Sequence, residues 1–203
     1  MTTLLEMPLK SVLPHTLPDL LAKYPDAMMR VETDSIAQAA AMDEAQFWAI
    51  IVLFDWDQER PNAIMQPAVM ALSVFSRTDI CTFHDILNKK LYALDGRRFA
   101  ENLGSNAYHK QAKQHFSVDD FLYSRCAVVA NGRRFFDEVL ENPEQIPKEF
   151  TFESLLYLPD SAWELKTGQD DLGYFPETWY ETFSNSAEWG GIVPLKERIL
   201  KAR

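Results

Sequence analysis

The sequence has no long apolar run, little glycine and almost no cysteine, and each shortage removes a class of function. Its apolar stretches stop well short of the roughly 20 residues that a membrane-spanning helix requires. The run AIIVLF, Ala49 to Phe54, reads instead as a core segment. MTTLLEMPLK lacks a basic region followed by a sustained apolar stretch, so no secretory leader is expected. Seven glycines are present, none before Gly96 and none followed by lysine, which leaves no phosphate-cradling Walker loop. No G-x-S-x-G elbow occurs to expose a nucleophilic serine. The two cysteines, Cys81 and Cys126, sit inside apolar helical patterns and read as free, buried thiols in a reducing compartment.

Histidine is as sparse. His109 and His115 are six apart, so they do not share a helix face as paired zinc ligands do. His84 lies near an apolar stripe and reads as a satisfied core histidine, and His15 lies between prolines. Basic residues are outnumbered, 20 against 30 acidic ones, for a net charge of -10. Such a field repels a phosphate backbone and attracts a basic partner. The expectations are therefore a cytoplasmic protein with no cofactor, no bound metal, no nucleic acid and no membrane contact, whose partner is another, basic protein.

What is present points to helices. With 203 residues, 47% apolar and 25% charged, the chain is long enough for one full-sized core. The fold expected is all-α: a single compact multi-helix domain over 42–168, an irregular N-terminal arm over 1–41, and an aromatic-rich C-terminal extension over 169–203 packed on the core. Pro8, Pro14, Pro18 and Pro25 break the arm; TLPDLLAKY suits a short helix and AMMRVET a strand or an extended arm.

In the body, Asp43 with Gln46 caps a helix whose inward face is Phe47, Ile50, Ile51 and Phe54. Pro61 stops it, and Pro67 suits the first turn of a second helix with Val69, Leu72 and Phe75 inward. Thr78 or Asp79 caps a third, carrying Ile80, Phe83, Leu87, Leu91 and Leu94 at helical period, with Asp95-Gly96 as its stop. Ser117 and Asp120 form a capping box for a fourth, ended by Asn131-Gly132. RRFFDEVLENP makes a fifth. Thr151 with Ser154 caps FESLLYL weakly, and Pro159 opens a last helix closed by Gly168. LKERILKAR at the end reads as a short amphipathic helix.

The fourth helix, FLYSRCAVVA, places Arg125 on an apolar stripe between Phe121 and Val129. A guanidinium there does not deprotonate, so it must be paired or reach water. The preferred reading is a structural ion pair, with Asp55, Asp57, Asp85 or Glu153 as the carboxylate. The other is an anion site for a ligand carboxylate or phosphate.

MDEAQFWAII, VFSRTDICTFHDILNKKLYAL, DDFLYSRCAVVANGRRFFDEVLENPEQIP and FESLLYLPDSAWELKTG together resemble a bacterial family known as domain of unknown function 4240. The resemblance covers about 42–168 and is firmest at Asp120, Phe121, Tyr123, Arg125, Val128, Val129 and Gly132. The chain departs at Ala127, where the family often has tryptophan. A compact, mostly helical bacterial domain is implied, with no reaction and no catalytic residues to carry over.

Two surfaces are candidates for binding a partner. The extension interleaves aromatic rings with carboxylates, and Asp170, Asp171, Tyr174, Glu177, Trp179 and Glu181 are its candidate contacts. DWDQE offers Asp55, Asp57 and Glu59 as a second candidate; the glycine and closing glutamate of an EF-hand are missing, so a solvated helix end is the better reading. Lys89, Lys90, Arg97, Arg98, Arg133 and Arg134 read as solvated charge near helix ends. The functional expectation is a non-catalytic protein-binding module, concretely an immunity-type protein that neutralises a bacterial toxin. The alternative is an enzyme or small-molecule sensor with an inter-helical pocket near Arg125.

Overall fold

Residues 42–109 and 116–190 are described by a computed structural model of the chain. The first helix, α1 (Glu44–Ile51), begins where the Asp43 carboxylate accepts the backbone N–H of Gln46. It buries Phe47, Trp48, Ile50 and Ile51. The second, α2 (Pro61–Ser73), opens on a proline whose fixed φ suits the first turn and whose missing N–H would have no partner there. Its start at Pro67 is therefore corrected. Pro61 takes that role, and Pro67 lies in the interior with no N–H to give the Ala63 carbonyl. Burial of Ile64, Met65, Ala68, Val69 and Leu72 carries the helix through it.

Neither Thr78 nor Asp79 is the cap of α3 (Arg77–Ala93); Ser76 is. The Ser76 hydroxyl accepts the Asp79 N–H and donates to the Asp79 carboxylate, a reciprocal pair whose cap lies two positions before Thr78. All five expected inward residues, Ile80, Phe83, Leu87, Leu91 and Leu94, are buried. After Asp95-Gly96 comes a single turn, α4 (Arg97–Ala100). Ser117 accepts the Asp120 N–H and opens α5 (Val118–Ala130), which is buried almost all round from Phe121 to Ala130. Gly132, at φ 89°, adopts a conformation that side chains resist and lets α6 (Arg133–Glu141) set off at once. Thr151 and Ser154 do not cap: the 3-10 turn Glu153–Tyr157 starts after Phe152 with no side-chain bond. It runs into α7 (Leu158–Thr167), which has Pro159 in its first turn and ends at Gly168, φ 77°.

Seven α-helices and no strand occur among the described residues. Helix α5 packs against α3 and α6, while α7 packs against α2 and α3. Phe47, Phe83, Phe99 and Phe121 are fully enclosed in the shared core, each contributing about 1.5–3 kcal/mol by leaving water. No helix among the described residues is long and apolar enough to cross a membrane. The expected arm over 1–41, the expected helix over 195–203 and His115 lie outside the described residues.

Candidate functional site

The residues after α7, from Gln169 to Gly190, cross the body without forming a helix. This strap is held by side chains of α3, α5 and α7. Arg77 donates to the Leu172 carbonyl at 2.8 Å, and Asp160 accepts the Leu172 N–H at 3.0 Å. Tyr174 donates its hydroxyl to Asp85 at 2.8 Å, a bond that pushes the phenol up to about 12. Leu172 and Trp189 are buried as apolar pegs.

Arg125 lies on α5 with 0% of its surface exposed. None of the expected carboxylates meets it. Nη1 donates to the carbonyls of Leu91 and Tyr180, at 3.0 and 2.8 Å, and Nη2 donates to the Thr182 hydroxyl at 3.0 Å. Its guanidinium carbon lies 4.7 Å from the centroid of the Phe121 ring, and Nε has no hydrogen-bond partner. The expected ion pair is corrected to a cation held by backbone carbonyls and a hydroxyl. Burial pushes its pKa downward, and the negative charge of Asp95 opposes that. Asp55 is occupied by its own turn, accepting the Asp57 N–H and the Gln58 amide; Asp85 takes Tyr174, and Glu153 takes Tyr157.

Asp95, which the sequence marks only as part of a turn, is the acidic counterpart. It is 0% exposed and receives three donors from the strap: the Phe183 N–H at 3.1 Å, the Asn185 N–H at 2.9 Å and the Trp189 indole N–H at 2.8 Å. Trp189 meets Phe183, Tyr108 and Phe121 at 4.4, 5.2 and 5.9 Å between ring centroids. A buried cation and a buried anion thus grip successive pieces of one segment. The clue available in sequence was an aspartate directly after the buried end of an apolar helix.

The outward side of the strap is different. Phe175 is 86% exposed and Trp179 60%, and Asp170, Asp171, Glu177 and Glu181 all face solvent around them. Of the candidate contacts there, Tyr174 turns in toward the body. At the second candidate surface, Asp57 and Glu59 are exposed and Asp55 is half-buried. Of the three, Asp55 lines an open groove of about 1100 Å³ along α2, together with Leu53, Gln58, Gln66, Pro67 and Met70.

Residues 42–165 match the family described as Protein of unknown function (DUF4240). The chain belongs to this family. No curated protein and no solved structure matches the chain. Arg125 and Asp95 lie inside the stretch shared with DUF4240, whereas every strap residue that binds them lies beyond it.

His84 is half-buried, and its Nδ1 has no hydrogen-bond partner, which corrects the expectation of a satisfied core histidine. Burial holds its pKa below the ordinary imidazole value, with Asp160 and Asp85 pulling the other way. Lys90 is also not simply solvated. It pairs with Glu44 at 2.8 Å and lies over the Trp48 and Phe136 rings. Arg97, Arg133 and Arg134 pair one turn along with Glu101, Asp137 and Glu138, and Arg98 reaches Glu188. Both cysteines are free and buried. Among the described residues no group of three His, Cys, Asp or Glu side chains is placed to hold a metal ion.

Proposed function

We propose that this chain is a non-catalytic protein-binding module whose docking surface is the outer face of the strap, and that it acts as an immunity-type protein blocking a basic toxin. The observation that carries the reading is the pair of exposed rings, Phe175 and Trp179, set among the carboxylates of Asp170, Asp171, Glu177 and Glu181. Large exposed rings ringed by charge fit the anatomy of an interface hot spot and its rim. The net charge of -10 steers a basic partner toward them. Rings held on an irregular strap need a firm support, and the Arg125 and Asp95 anchors provide one on the other side of the same segment. The alternative, a ligand pocket at Arg125, has less to support it, because a guanidinium with 0% exposure offers an incoming anion no face.

The test is affinity capture from the source bacterium with the full chain as bait, beside a Phe175→Ser, Trp179→Ser bait and an Asp170→Lys, Asp171→Lys, Glu177→Lys, Glu181→Lys bait. One stoichiometric basic protein is expected on the first bait. It should be lost from the second and third and bind less tightly at high salt. Equal recovery on all three baits, with their circular dichroism unchanged, would remove the strap as the docking surface.

A further inference from the structure

From Pro61 to Ser76 the chain carries no charged side chain at all, although a quarter of its residues are charged. This stretch contains α2. Its inner face is packed, and among the described residues no element covers its outer face. Gln66, Met70 and Val74 follow one another at four-residue spacing, with Met70 56% and Val74 76% exposed. Val52 and Leu53, just after α1, are exposed as well, and Leu53 lines the same groove as Met70.

The charges lie at the two ends of this face, with opposite signs. At the N-terminal end stand Asp55, Asp57 and Glu59, with Arg60 as the one cation among them. At the C-terminal end Lys166 donates to the Ser73 carbonyl at 3.1 Å, and Arg77 follows three residues after the chain leaves the α2 cap at Val74. A helix of 13 residues keeps these ends about 20 Å apart, so they do not neutralise each other within one chain. Turned end for end, one copy matches another. The acidic loop of each falls beside Lys166 and Arg77 of its twin, the neutral middles meet around Pro67 and Met70, and the helix dipoles run antiparallel.

We infer that the outer face of α2 is a self-association surface, joining two copies of this chain in an antiparallel, two-fold pair. On a chain of net charge -10, an uncharged face with an acidic and a basic end is where two like molecules meet without repulsion. One helix face and its flanking loop make a small interface of the kind that forms weak, reversible pairs, and a dissociation constant of about 10–100 μM is expected. The face shares no residue with the outer strap.

Sedimentation equilibrium of the full chain from about 5 to 500 μM tests this, the range spanning the expected constant. The mass should rise from the 23.4 kDa of one chain toward twice that value. Met70→Glu places two like charges near the centre of a two-fold pair, and Val74→Glu, at the C-terminal cap, places one beside its twin's acidic loop; each should weaken the pair on the order of a hundredfold, leaving monomer throughout. Lys166→Glu should weaken it on the order of tenfold, and adding Glu59→Lys in the same chain should restore it, since the two residues meet only across the pair. Circular dichroism of every variant should match the parent. A monomer at the highest concentration overturns the inference, as does a dimer indifferent to Met70→Glu and Val74→Glu, or a Lys166→Glu defect that Glu59→Lys deepens. A monomer that binds a different protein through this face overturns it too.

Discussion

Replacing Asp95 with alanine removes one carboxylate and leaves three strap donors without their acceptor: the Phe183 and Asn185 N–H groups and the Trp189 indole. Hydrogen bonds to a charged group contribute about 1.5–3 kcal/mol each, but three on one carboxylate are not additive. Arg125 would also lose the nearby negative charge that favours its cationic form. Breaking such a buried arrangement from one side costs about 3–5 kcal/mol, a large fraction of the roughly 5–15 kcal/mol that stabilises an ordinary domain. Asp95→Asn keeps the shape and one oxygen, so only one contact turns donor against donor, and about 1.5–3 kcal/mol is expected. Urea denaturation followed by tryptophan fluorescence and by far-ultraviolet circular dichroism measures both. Trp189 is enclosed in the parent, so its release should be visible in fluorescence. If the strap lifts before the helices melt, the fluorescence transition of Asp95→Ala will precede the helical one. An Asp95→Ala variant within about 0.5 kcal/mol of the parent would refute the reasoning, because that is the range of substitutions that touch nothing important.

Arg125→Ala should cost about 3–5 kcal/mol, combining a cavity with the orphaned Leu91 and Tyr180 carbonyls, and the same urea titration checks it. Acidification should weaken the fold through His84. Its pKa in the folded chain lies below 6.5, so its contribution is fully present above that pH and is lost as pH falls through the lower folded value; a His84→Gln variant should show a flatter stability-versus-pH curve. Neither thiol should react with a disulfide reagent in the native protein at neutral pH. Burial pushes Cys126 up to about 12 and raises Cys81, and both should react on unfolding, as a colorimetric thiol titration would show.

The helices were legible wherever local chemistry decided them. Asp43, Ser117, Gly132 and Gly168 punctuate the chain as their side-chain chemistry or their positive φ requires. Pro67 misled because a proline in a helical pattern is a start signal only when no earlier proline has taken the first turn. The anchors were legible in part. Arg125 announced itself as a charge on an apolar stripe, yet its acceptors are largely main-chain carbonyls, which every residue carries and no sequence distinguishes. Asp95 stood next to glycine, a pairing that reads as a turn, and its role appears only once residues some 90 positions later arrive beside it. At the candidate docking surface, the alternation of rings and carboxylates was visible, but which rings turn inward depends on the anchors beneath them.

That distance along the chain has a consequence during synthesis. Arg125 and Asp95 are made well before the strap that satisfies them, and residues 131–190 take roughly 3–12 s to follow at ordinary rates of translation. Throughout that interval the two groups must stay hydrated, since burying either without its partners is costly. The family-matched stretch therefore cannot close tightly around them while it is still growing. Its final compaction waits for Thr182 and Trp189, and a chain released before those residues keeps an open, wet seam between α3 and α5 where a protease can enter.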